Sequence, residues 1–305
     1  MGCGTWTPSA WATYSTQAVK GKSTAQIYTS RGLKPEFDPK NVTRESRDSD
    51  DHPNSTPIII GLDVTGSMDD ILNKVAQELG NMVKEILDRQ PVKDPQIMFC
   101  AVGDSMCDDV PLQVTQFESD IRIAEQLTGL YFERGGGGNG FESYPLAWYF
   151  AANHTSTDNF EKRGKKGVLF TLGDDSYPKR LTAKEIKAIF GDDVDEDISV
   201  EEVLTQVNRK YEVYHLCLND RWNSTYRTAY GDGITESWRK ILGERAISVS
   251  DYTKVPQIIV SILEVLAGKE VDEVVSSWDG STAMVVKNAI EGLTARKEDK
   301  ELIEF

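Results

Sequence analysis

The chain reads as an α/β protein: a doubly wound, mostly parallel sheet with one antiparallel edge strand and helices on both faces. Two observations predict this. From Pro57 to about Gly268, short apolar runs alternate with longer segments of helical spacing, which argues for a parallel-dominated sheet covered on both faces. One run, Val110–Phe117, alternates apolar and polar residues, as an antiparallel edge strand does.

Ile58–Asp63 is a strand, and Asp69–Arg89 a helix with Ile71, Val75, Leu79, Met82, Val83, Ile86 and Leu87 on one face. Gln96–Val102 is an apolar strand, and Ser119–Leu127 a short helix. A glycine-rich loop at 135–140 precedes a helix at Ser143–Asn153. Gly167–Leu172 is a strand, with helices after it at Thr182–Phe190 and Val200–Asn208. Tyr211–Leu218 and Ala246–Ser250 are strands, each leading into a helix, Ile234–Leu242 and Val255–Leu266.

Two segments flank this unit of residues 57–268. Residues 1–56 are polar and rich in Ser and Thr, with weak periodicity, and are expected to form an extended arm, part of which docks through Trp6 and Trp11 on the chain's own core or, second, on a partner. Residues 269–305 are expected to form a helical tail, with Val271, Val274, Val275, Met284, Val285, Val286, Ile290 and Leu293 as its apolar positions. Both are expected to be separable from the central unit.

Composition narrows the function. The 305 residues carry 34 basic and 49 acidic side chains, a net charge of −15, which repels nucleic-acid phosphates and favours cations and basic partners. No apolar run approaches the roughly 18–20 residues of a membrane span. Gly2 is followed by Trp6 where a myristoylation motif wants Ser or Thr. The expected location is cytoplasmic, or virion-associated if the protein is phage-encoded. Four cysteines without a C-x-x-C pair and three histidines argue against structural zinc, and Cys100 and Cys217 lie in strand-like runs as buried thiols. Asp193, Asp195 and Asp197 have the spacing of an EF-hand, but Ile198 and Leu204 occupy the positions that need Gly and Glu.

In open sheets of this class, ligands bind beyond the carboxyl ends of the strands. The first such loop lies within Pro57–Met68, PIIIGLDVTGSM. A buried strand delivers Asp63, Thr65 and Ser67 to one turn, an all-oxygen set suited to a hard divalent cation. The competing reading makes Asp63 a cap for the next helix. The pattern resembles the first loop of the metal-ion-dependent adhesion site of von Willebrand factor A domains. Their usual form is Asp-x-Ser-x-Ser, and Thr65 keeps the hydroxyl.

Two further loops extend the resemblance. ERGGGGNGFESYPLAW, from Glu133, is neither a dinucleotide fingerprint nor a Walker loop. It lacks the Thr that the family's second loop supplies. It resembles a variant reading Gly-Gly-Gly-x-x-Pro-Glu, which nominates Glu142 first and Asn139 second. The plainer roles are a turn for Asn139 and a first-turn dipole contact for Glu142. The third loop, VLFTLGDDSYP, carries Gly173-Asp174-Asp175 where the common form is Thr-Asp-Gly. The same variant has the Gly-Asp order, so Asp174 becomes the ligand and Asp175 its understudy.

The resemblance implies a von Willebrand A fold over residues 57–268 and a magnesium site at Asp63, Thr65, Ser67, Asp174 and Glu142 or Asn139, with Mn2+ or Ca2+ as substitutes. It implies metal-dependent binding of a protein partner through an exposed Asp or Glu, as an adaptor or assembly component, with an AAA-type ATPase or assembly subunits as partners. Direct coordination by Glu142 would weaken the attraction for an acidic partner. The alternatives are a structural component of a phage or bacterial assembly with a vestigial metal site, and a magnesium-dependent phosphate-ester hydrolase.

Overall fold

The computed structural model describes residues 4–133, 141–218 and 227–295, with backbone alone for Ser67 and residues 227–232. The chain opens with helices α1 (Pro8–Ala18) and α2 (Thr24–Ile27), then strands β1 (Arg44–Ser46) and β2 (Thr56–Asp63). Helix α3 (Asp69–Arg89) leads to β3 (Pro95–Val102), β4 (Leu112–Val114), α4 (Arg122–Gly129) and α5 (Tyr144–Asn153). After β5 (Thr155–Thr157) and α6 (Asp158–Glu161) come β6 (Gly167–Gly173), β7 (Arg180–Leu181), α7 (Ala183–Ile189) and β8 (Ile198–Ser199). The chain continues through α8 (Val200–Val207), β9 (Tyr211–Leu218), α9 (Arg227–Leu242), β10 (Ala246–Val249), α10 (Val255–Leu266), α11 (Val271–Ser276) and α12 (Gly280–Ile290).

Six strands form one sheet in the order β10-β9-β6-β2-β3-β4. All neighbours are parallel except β3 and β4, where Ala101 faces Gln113 in antiparallel register. The sheet is therefore the mostly parallel, Rossmann-like α/β arrangement with an antiparallel edge strand. The chain moves from β2 to β3 on one side and later returns to β6 on the other. The carboxyl end of β2 is thus the topological switch point, where the crossovers diverge and leave a crevice.

Strand alternation sends side chains to two cores. Ile58, Ile60 and Leu62 face the layer containing α3, α4 and α10, whereas Ile59 faces α5, α8 and α9. Helix α3 forms because its apolar residues recur along one face. Asp69 and Asp70 sit in its first turn and Arg89 in its last, matching the helix dipole, and Gln90 ends it in the left-handed region at φ 48°.

The flanking segments depart from expectation. Residues 8–18 form a helix: Thr7 caps it, its hydroxyl accepting from the Ala10 amide, and Pro8 occupies the first turn. Helix α1 lies across α3 where Gly80 leaves room, and a Cβ there would overlap the Trp11 indole. Trp6 stacks on Trp11 at 5.7 Å, and Val19, Ile27 and Tyr28 are buried in the same core as the sheet. Strand β1 pairs in parallel with β5. Residues 4–56 thus dock on the core but form helices and a short strand in place of the expected extended arm, because apolar side chains spread through them find partners there.

The tail shows the same. Val274, Val286 and Ile290 are buried in the α3–α10 layer. The Arg89 guanidinium lies 3.8 Å from the Trp278 ring centroid, and the Trp278 indole N–H donates to the Ser261 hydroxyl at 2.9 Å. The expected boundary near Gly268 therefore falls between elements that share one core.

Candidate functional site

The site is built where β2, β3 and β6 end together. Their register sets Asp63 opposite Val102 and Leu62 opposite Leu172, so the next residues of the two neighbouring strands, Gly103-Asp104 and Gly173-Asp174, emerge at the same edge. Asp63 itself is fully buried. Its Oδ1 accepts from the Thr65 amide at 2.9 Å and the Thr65 hydroxyl at 2.7 Å, and its Oδ2 accepts from the Tyr144 hydroxyl at 2.8 Å. Asp63 therefore organises its own loop rather than capping α3. Because the Thr65 hydroxyl proton points to Asp63, its oxygen can present a lone pair to a cation.

The second loop reaches the site through residues 141–143. The Glu142 amide donates to the Ser176 carbonyl at 3.0 Å, and Phe141 forms a parallel bridge with Ser176. On the other side the Ser143 amide donates to the Gly103 carbonyl at 3.1 Å, and the Ser105 amide donates to the Ser143 hydroxyl at 3.0 Å. Residues 141–143 thus lie between the loop after β3 and the loop after β6. The Trp238 indole of α9 fixes the latter by donating to the Asp175 carbonyl at 3.1 Å.

Charge is concentrated here. Burial raises the Asp63 carboxyl above the usual carboxylate range, and the neighbouring Asp174 raises it further. Glu142 is raised more strongly, first by burial and then by Asp63, Asp104, Asp175 and Asp108. Asp175 is pushed up to about 6 by burial, with Asp174 and Asp104 adding to it. Glu142 is 1% exposed, and its Oε2 is buried without a hydrogen-bond partner. Asp108 Oδ1 and Glu133 Oε2 are buried and unpartnered as well. Buried carboxylate oxygens without donors carry a full desolvation cost.

Of the residues predicted from sequence, the structure brings Asp63, Thr65, Glu142 and Asp174 to one place, with Asp175 beside them. The Ser67 backbone is in the turn Gly66–Met68 at the head of α3. Asn139 and the Ser67 side chain lie outside the described residues. Three contributors are not predicted from sequence: Asp104, Asp108 and Tyr144. Asp104 carries a usable signal, since the apolar strand IMFCAV runs into Gly-Asp-Ser much as Ile58–Leu62 runs into Asp63. Tyr144 carries none, because its role depends on the fold.

The donors fit a hard divalent cation. All are oxygens, and Glu142 Oε2 is an orphaned acceptor among like charges. Among the described residues, no three His, Cys, Asp or Glu side chains converge into a ready-made cage. A site relying on hydroxyls, one or two carboxylates and water does not need one.

No family model and no curated relative matches the sequence. Among solved structures, the fold is similar to the pilus adhesin SpaC from Lactobacillus rhamnosus GG, at 11% identity and a TM-score of 0.49, covering 74% of this chain and 32% of the adhesin. The open conformation of the same adhesin is similar at 10% identity and a TM-score of 0.44, covering 74% and 31%. The chain thus spans about a third of the adhesin's length.

Proposed function

We propose that the protein is a metal-dependent protein-binding module of the von Willebrand A type, holding Mg2+, or Mn2+ or Ca2+ in its place, at Asp63, Thr65, Ser67 and Asp174. The observation that carries this reading is the orphaned Glu142 carboxylate oxygen, buried among Asp63, Asp104, Asp108 and Asp175. A bound cation relieves such a cluster by neutralising its charge. Thr65 is already oriented with its proton directed to Asp63, and Asp63 is fixed by three donors.

Neutral hydroxyl ligands leave a bound cation under-neutralised, with water in an exchangeable position. An Asp or Glu side chain of a partner is the group that replaces such a water. Binding is favoured over bond breaking because the imidazole nearest the site is poorly placed for proton transfer. His215 is buried beneath Tyr144, its Nδ1 is 2.8 Å from the Thr171 hydroxyl, and burial holds it neutral. We place the protein as an adaptor or assembly component, with an AAA-type ATPase or assembly subunits as partners. No helix among the described residues is long and apolar enough to cross a membrane.

The test is affinity capture of cellular partners in Mg2+ and in chelator, with wild type and Ser67→Ala. The reading predicts partners retained by wild type in Mg2+ and lost in chelator, with Ser67→Ala weakened but folded. The same partners at full yield in chelator would favour a structural component that makes its contacts through the flanking segments.

A further inference from the structure

The geometry points to Tyr144 as the residue that positions Asp63 for the cation, admitted to the site by the glycine at position 173. This inference rests on the metal-binding reading above and adds a residue that the sequence motif does not contain.

Tyr144 and Asp63 are both fully buried, and the Tyr144 hydroxyl donates to Asp63 Oδ2 at 2.8 Å. The other carboxylate oxygen is held by Thr65. The carboxylate plane of Asp63 is therefore fixed from two sides, by its own loop and by the first residue of α5. Without Tyr144, one oxygen would lose its donor and the carboxylate could turn about its last torsion.

The tyrosine is in turn locked. Its ring meets His215 edge-on at 4.9 Å and Trp238 edge-on at 5.5 Å, while His215 stacks on Trp238 at 3.6 Å. The hydroxyl reaches Asp63 by passing over the backbone of β6 at Gly173, where a Cβ would overlap the tyrosine oxygen and ring. The glycine before Asp174 is explained by this close approach, since Gly173 is an ordinary strand residue in which no backbone strain demands glycine. Gly173 and Tyr144 form one device: the glycine opens the path and the tyrosine uses it. Groups that orient a metal ligand typically affect metal affinity by roughly 10–100-fold when removed.

The experiment titrates Mn2+ into the full-length protein by calorimetry and follows thermal unfolding with and without Mn2+. Tyr144→Phe keeps the ring and removes only the hydroxyl. It should weaken Mn2+ binding by about tenfold or more and shrink the Mn2+-induced rise in unfolding temperature. Gly173→Ala should do the same by displacing the ring. Tyr149→Phe is the control, because it removes a tyrosine–carboxylate bond on the same helix, to Asp192, away from the site. It should leave Mn2+ affinity unchanged. If wild type binds Mn2+ at Asp63, and Tyr144→Phe binds equally well, the positioning role is wrong while the metal reading stands. If Tyr144→Phe loses affinity only as much as Tyr149→Phe, the hydroxyl acts through general stability and the inference fails. Absence of Mn2+ binding by folded wild type would overturn both.

Discussion

Removing residues 270–305 would strip α11 and α12 from the face of α3 and α10. Val274, Val286 and Ile290 are each at most 1% exposed. At roughly 1.5–3 kcal/mol for each fully buried aliphatic side chain, their loss alone amounts to about 5–9 kcal/mol. The truncation also uncovers apolar surface of α10, in which Ile258, Ile259, Ile262, Leu263 and Val265 are all buried. It deletes the Trp278 ring beneath Arg89 and the hydroxyl of Ser277, which accepts from Arg89 at 2.7 Å. Domains of this kind have about 5–15 kcal/mol in all. The truncated chain is therefore expected to lose its cooperative transition, or to retain one at a greatly reduced guanidinium midpoint with weakened near-ultraviolet dichroism. Guanidinium unfolding followed in the far and near ultraviolet measures both. A truncated protein with the wild-type midpoint and slope would show that the tail contributes nothing to the core, and would refute the packing described for α11 and α12.

Two other outcomes are expected on the same physical grounds. Gly80→Ala should displace Trp11 and loosen α1, costing about 1–3 kcal/mol, with a red shift in tryptophan emission; unchanged emission and stability would contradict the close approach of Trp11 to α3. In the cation-free protein, the raised carboxyls of Glu142 and Asp63 mean that the folded state keeps protons the unfolded state has released, so stability should fall as pH rises. His215, held neutral in the fold, has the opposite sign but contributes its full stability above its ordinary 6.5. The decline should therefore be clearest between about pH 7 and 8.5, and Glu142→Gln should flatten it; thermal scans in chelator that show a flat wild-type profile would exclude the charge cluster as described.

The parts of the fold legible in the sequence are those set by local periodicity. Val255–Leu266 and Asp69–Arg89 match the predicted helices because one face or all faces are apolar over several turns. Strand β2 is legible because Ile58–Leu62 is short, apolar and bounded by turn residues. Helix α1 is not, because it has no buried residue and little amphipathic contrast, although Thr7-Pro8 is a cap with a first-turn proline. Strands β1 and β5 are three residues each and pair residues far apart in the chain, Arg44 with Thr155, which no local pattern reports. At the site, Asp63, Thr65 and Asp174 are legible because the end of a strand in the sheet fixes the place of the loop attached to it. Asp104, just beyond the end of β3, obeys the same rule although the motif leaves it out. Tyr144 is illegible because its path to Asp63 depends on a glycine one strand away.

A cation at the carboxyl end of β2 is the centre of the proposed function. Crystals grown with Mn2+ and measured at its absorption edge test for it most directly. The expected result is an anomalous peak about 2–2.5 Å from the Thr65 hydroxyl oxygen, with Asp63 and Asp174 beside it and the Tyr144 hydroxyl still on Asp63. A well-ordered site with saturating Mn2+ and no peak there would contradict it.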